Sequence, residues 1–151
     1  MSQSRAAAGS KTVELATFFI GEALCGMDIM NIQEVNKLME MTKVPQAPEY
    51  VMGILNLRGQ IVTIIDLGLK LGLSSIEETD ENRNIIVSSK GERIGLLVER
   101  ISDVVLADME KIEPPPANIG GVQGKFFKGV FKTEEHLVGI LNVAEVLEES
   151  D

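Results

Sequence analysis

Gly53-Ile54-Leu55-Asn56-Leu57-Arg58-Gly59-Gln60-Ile61-Val62-Thr63-Ile64-Ile65-Asp66-Leu67 reads as two strands around an Arg-Gly turn, closed by a helix cap. The same text occurs twice. Gly53 through Leu71 lines up without a gap on Gly129 through Leu147. Within it, Ile61-Val62-Thr63-Ile64-Ile65-Asp66-Leu67 matches Leu137-Val138-Gly139-Ile140-Leu141-Asn142-Val143. Asp66 and Asn142 are both good helix N-caps, each placed directly after a strand. A second block agrees: Gly26 through Val35 lines up on Gly95 through Val104. The blocks come in the same order in both halves, and the extra residues of the second half fall near Pro114-Pro115-Pro116. The chain is therefore read as two copies of one small β unit, each with roughly five short strands. Short strands at regular spacing point to barrels, which leave no exposed edge.

Outward from this block the text stays strand-like. Val13–Ile20 and Leu24–Ile29 are apolar runs around a Gly21-Glu22 turn. Met30 to Val35 fits a short helical turn or continued strand, and Leu38 to Val44 alternates as a strand would. Pro48 suits the first turn of a short helix through Tyr50 and Val51. Asp66 caps an expected helix over Leu67 to Leu71. The polar, acidic segment 74–84 is expected to divide the two copies of a single 13–149 domain. Strands are then expected at Ile85–Ser88, Arg93–Val98, Val104–Leu106, Phe127–Phe131 and Leu137–Leu141, with a final helix over Ala144–Glu149. Pro114 to Gly121 is expected to be a long exposed loop, and residues 1–12 a disordered tail.

Composition narrows the function. The chain has 151 residues, enough to bury a core without staples. Aromatics are 4% and Trp is absent, so the core must be Ile, Leu, Val and Met. The net charge of −9 repels phosphate backbones and argues against nucleic acid or an anionic membrane surface as partner. No apolar stretch approaches a membrane span; the best, Ile61 to Leu73, is broken by Asp66 and Lys70. The N-terminus lacks the apolar centre of a signal peptide, so the protein is expected in the cytoplasm. Cys25 is the lone cysteine and is expected to be a buried, inert thiol.

Reactive constellations are missing. His136 is the single histidine, so metal sites lack ligands and no nucleophile signature accompanies it. Gly120-Gly121-Val122-Gln123-Gly124-Lys125 fails as a phosphate loop, because Ile119 and Phe126 occupy positions that need Gly and Ser or Thr. The cluster Glu77-Glu78-Asp80-Glu81 lacks the spacing of a calcium loop. The expectation is a binding module, with no enzyme activity and no cofactor.

The string Asn56 to Leu67 resembles the signature of the CheW family of chemotaxis coupling proteins. Val51-Met52-Gly53-Ile54-Leu55, Gly26 through Val35, Ile101-Ser102-Asp103-Val104-Val105 and Gly139 through Leu147 are similar to that family in the same order. The resemblance implies an all-β fold of two intertwined five-stranded SH3-like barrels. It implies an adaptor that binds the regulatory domain of the CheA histidine kinase on one surface and the tip of a chemoreceptor helical hairpin on another. It also implies recruitment to the inner membrane face through receptors, without insertion, and an isolated monomer. Arg58 and Glu34 stand at positions that the family associates with coupling. They either hold the loop by an internal ion pair or offer charge to a partner, and the two roles are compatible. Asn56 belongs to the same string. Gly59 supplies a turn that a side chain would obstruct. Ile32, Ile61 and Val62 are candidates for an apolar groove that takes a receptor helix, or for ordinary barrel core. Asn142 departs from the Asp frequent in the family, but both cap a helix, so little effect is expected.

Two other classes compete. A small-ligand binder or enzyme on paired barrels would need a deep pocket with convergent polar groups. A nucleic-acid barrel would need a basic, aromatic face that this acidic chain lacks.

Overall fold

The computed structural model describes residues 11–148. In chain order the elements are β1 (Thr12–Ile20), β2 (Ala23–Asp28), β3 (Glu34–Lys37), β4 (Val51–Leu57), β5 (Gln60–Asp66), α1 (Leu67–Lys70), β6 (Arg83–Ser89) and β7 (Glu92–Val98). They continue with β8 (Arg100–Asp108), β9 (Asn118–Ile119), β10 (Val122–Gln123), β11 (Phe127–Lys132), β12 (Leu137–Leu141) and α2 (Val143–Leu147). Three 3-10 turns, at Ile29–Asn31, Met109–Lys111 and Gly124–Phe126, complete them.

Two five-stranded sheets hold the chain, with orders β11-β12-β2-β1-β8 and β4-β5-β7-β6-β3. The orders are the same once each strand is replaced by its counterpart in the repeat. The parallel pair β12–β2 sets Ile140 opposite Gly26, and the parallel pair β5–β7 sets Ile64 opposite Gly95. Those are the residues that the two sequence blocks align. The strand that follows each of these parallel partners crosses over. β3 leaves β2 and pairs with β6, while β8 leaves β7 and pairs with β1. Each barrel thus joins a two-strand hairpin of one copy, β1–β2 or β6–β7, to three strands of the other. The fold is all-β: two intertwined five-stranded SH3-like barrels. The acidic segment 74–84 does not part the barrels in space, because β5 before it and β6 after it share one sheet.

Each barrel is closed by one bridge. Thr42 pairs with Ile54, and Glu113 pairs with Val130, both with reciprocal backbone bonds of 2.8–2.9 Å. Gly53 and Gly129, the first residues of the repeat, make room for these crossings. A Cβ on Gly53 would lie 2.7 Å from the Thr42 carbonyl oxygen, and one on Gly129 would lie 2.6 Å from Ile112 Cγ2.

Strands buried on both faces read as unbroken apolar runs. Along β6, Ile85 and Val87 face a core shared by the barrels, while Ile86 faces the inside of its own. Along β12, Leu141 faces the shared core, while Val138 and Ile140 fill the second barrel. The shared core is the largest, so the barrels form one body. Cys25 lies in it, and burial pushes its thiol pKa up to about 12, which keeps it inert.

The helix caps form as read. Asp66 Oδ1 accepts from Leu69 N at 3.1 Å, and Asn142 Oδ1 accepts from Glu145 N at 3.1 Å. Asp66 Oδ2 also accepts from Ser75 Oγ and Ile76 N, both at 3.0 Å, which ties the segment after α1 to the cap.

Four local expectations need correction. Residues 38–44 form no strand; their alternation serves only the Thr42 bridge, and Pro45 ends the run. After Pro48 there is a single turn, Val51 N to Pro48 O at 3.0 Å, and β4 starts at once. The loop after Pro116 is not wholly exposed, because β9 and β10 bury Ile119 and Val122 in the shared core. β1 begins at Thr12, inside the expected tail, while residues 1–10 and the helix end at Glu149 lie outside the described residues.

Candidate protein-docking site

The β4–β5 hairpin turns in two residues, with Leu57 opposite Gln60. Arg58 and Gly59 both have positive φ, 53° and 83°. That is the mirror-image turn whose twist matches the flanking strands, and it favours glycine. Gly59 is therefore required by its backbone angle, since open space surrounds it. Asn56 Oδ1 accepts from Gly59 N at 2.8 Å and locks the turn. The Asn-x-Arg-Gly spacing thus serves to present one arginine.

Arg58 reaches from this turn to Glu34 on β3, where Arg58 Nη2 donates to Glu34 Oε2. The Arg58 side chain is 65% exposed and that of Glu34 only 22%. The hydrogen bond from Arg58 holds the Glu34 carboxyl below the usual range against partial desolvation, with smaller help from Arg58's charge, Asn36 and Arg93. Arg93, on β7, was not singled out in the sequence. Its Nη2 lies 3.7 Å from Glu34 Oε2, its Nε donates to Gln33 Oε1 at 2.8 Å, and its Nη1 donates to Gln60 Oε1 at 2.6 Å. Gln33, Arg58, Gln60, Ile61, Thr63 and Arg93 line an open, mostly polar groove of about 920 Å³.

The apolar candidates separate. Ile61 is 58% exposed at the groove. Val62 is fully buried inside its barrel, and Ile32 is half-buried against the shared core. Period-two alternation explains the contrast between Ile61 and Val62, since neighbours on a strand face opposite ways.

The repeat does not copy this site. The counterpart of Arg58 in the alignment is Glu134, and that of Glu34 is Asp103, so the ion pair becomes two acids. His136 closes that second hairpin, its N–H donating to Thr133 Oγ1 at 3.0 Å, and its ring lies edge-on to Phe19 with centroids 6.3 Å apart.

A second open face lies on the other barrel. An apolar groove of about 620 Å³ is lined by Val13, Ile29, Met30, Leu106, Met109 and Ile112 among others. It shares no lining residue with the Arg58 groove. Met30 is 84% exposed, and Leu106 and Met109 are also exposed. Two aspartates create this face. Asp28 Oδ1 caps the 3-10 turn that carries Met30, and Asp108 Oδ1 caps the one that carries Met109, each accepting a backbone N–H at 2.9 Å. The repeated Asp before an exposed methionine was the available signal, and it was missed.

Among the described residues no group of three metal-ligating side chains converges, and no helix is long and apolar enough to cross a membrane.

A family model described as CheW-like domain matches residues 14–151. The chemotaxis protein CheW of Helicobacter pylori is 31% identical over 151 residues, covering 96% of this chain and 91% of that protein. The chemotaxis protein CheW of Treponema pallidum is 31% identical over 141 residues, covering 91% and 83%. The crystal structure of scaffolding protein TtCheW from Thermoanaerobacter tengcongensis superposes with a TM-score of 0.84 at 31% identity, covering 97% of this chain and 95% of that one. With the repeat, the swapped barrels and the Arg58 hairpin in place, the chain belongs to the CheW-like family of chemotaxis scaffold proteins.

Proposed function

We propose that this chain is a cytoplasmic adaptor that couples chemoreceptors to a CheA-type histidine kinase. It works by position, not by reaction. The observation that carries the reading is the pair of open faces on barrels that share one core. A partner on either face is then fixed in orientation relative to a partner on the other.

The Arg58 face suits a polar receptor helix. It offers an exposed guanidinium beside exposed Ile61, and helix-in-groove recognition needs such a mixed surface. The Met30, Leu106 and Met109 face suits an apolar surface of the kinase regulatory domain, because unbranched methionines adapt to a partner's contour. Held together, receptor and kinase share one conformational equilibrium, and the receptor's state biases the kinase's. The 13–149 stretch acts as one domain, monomeric when isolated, and receptors bring it to the inner membrane face.

Isothermal titration tests this. The kinase regulatory domain and a soluble receptor hairpin fragment are expected to bind the same chain together, each with unchanged stoichiometry when the other is saturating. Mutual exclusion of the two would overturn the adaptor reading.

A further inference from the structure

We propose that Arg93 is a positioning residue that takes over Glu34 when Arg58 swings to a carboxylate on a partner helix. The inference rests on the reading of the Arg58 face as a receptor-docking surface.

Both arginines address one oxygen, Glu34 Oε2. They are held very differently. Arg58 stands on a two-residue turn, is mostly exposed, and makes its one side-chain hydrogen bond among the described residues to Glu34. Arg93 is 23% exposed and clamped by Gln33 and Gln60 through Nε and Nη1. A guanidinium carries five donors in a rigid fork, so Nη2 of Arg93 remains to be used. At 3.7 Å it is just beyond hydrogen-bond range, and a closure of about 1 Å brings a charge-assisted bond.

Without Arg93, the departure of Arg58 would strand a half-buried carboxylate, which is unfavourable. With Arg93, the carboxylate keeps a cation throughout. Arg58 is then free to pair with an Asp or Glu of the partner, next to the apolar contact that Ile61 offers. Gln33 precedes β3, Gln60 opens β5 and Arg93 lies on β7, so the clamp holds Arg93 beside Glu34 while the Arg58 side chain moves.

The test is a double-substitution cycle with Arg58→Gln and Arg93→Gln, read two ways. First, the affinity for a soluble chemoreceptor hairpin fragment is measured. Arg93→Gln is expected to weaken binding by about five- to tenfold when Arg58 is present and to have no effect when Arg58 is Gln. Second, the Glu34 carboxyl carbon is titrated by NMR in the free protein. In Arg58→Gln its pKa stays below that of the double variant, because Arg93 closes on it. Equal effects of Arg93→Gln in both backgrounds, or the same Glu34 titration in Arg58→Gln and in the double variant, overturn the hand-over. A fragment that does not bind the wild-type chain overturns the receptor reading instead.

Discussion

Arg58 and Glu34 form an ion pair that joins the tip of the β4–β5 hairpin to β3, the strand at the far end of the same sheet order. The curl of the barrel brings these ends together. Since the pair is mostly solvent-exposed on the arginine side, its contribution to stability is small and its value to a partner is larger. Arg58→Glu sets two acids face to face at the groove. Receptor-dependent kinase stimulation is expected to fall about tenfold, while Tm moves by less than ~4 °C. A circular-dichroism melt alongside the kinase assay checks both; a collapse of Tm would assign Arg58 to the fold instead.

Glu34 carries a pH signature. Its folded pKa is depressed by Arg58, so the pair's stabilisation is present above the ordinary carboxylate pKa of 4.5 and is lost as pH falls through the lower folded value. The Tm of Glu34→Gln is expected to lie below wild type at pH 7. The two melting curves should converge as pH drops below 4.5 and through the lower folded value, where the folded carboxyl takes up its proton. Melting both proteins from pH 7 to pH 3 decides it, and a constant gap would contradict the assignment.

Asn84 is the one buried side chain among the described residues whose amide has no partner on either atom. It lies opposite Leu97 on β7, as Leu15 lies opposite Asp28 on β2, so Leu15 is its counterpart in the second barrel. Leu15 is fully buried in apolar company. Asn84→Leu removes an unpaired polar group worth about 1–3 kcal/mol. Tm is expected to rise by several degrees in a thermal melt.

Gly53→Ala probes barrel closure. The new Cβ would meet the Thr42 carbonyl oxygen at 2.7 Å, and that atom is backbone, bound to Ile54 N. Overpacking of this kind costs about 1–3 kcal/mol. Hydrogen exchange is expected to show faster exchange at Thr42 and Ile54, with the Glu113–Val130 bridge of the other barrel unaffected.

Much of the fold was legible because the repeat is local. The β5 and β12 runs, the caps at Asp66 and Asn142 and the Arg58-Gly59 turn all depend on neighbours within a few residues. The exchange of the β1–β2 and β6–β7 hairpins between the copies was not legible from the residues themselves, since alternation marks a strand without naming its partner. Residues 38–44 show the same gap: the pattern fitted a strand, but closure needed only Thr42. In the site, Asn56, Arg58 and Gly59 could be read as a unit. Arg93 could not, because its partners Gln33 and Gln60 lie 60 and 33 residues away. Met30 was hidden for a different reason: it ends an apolar run and so resembles core, yet the Asp28 cap turns it outward.

The central claim is that one chain holds two different proteins at once. Sedimentation of receptor-bearing membranes with purified kinase, with and without this chain, tests it most directly. The kinase is expected to pellet with the receptors when the chain is added and to stay in the supernatant when it is left out. Kinase retention that does not change on adding the chain would contradict the account.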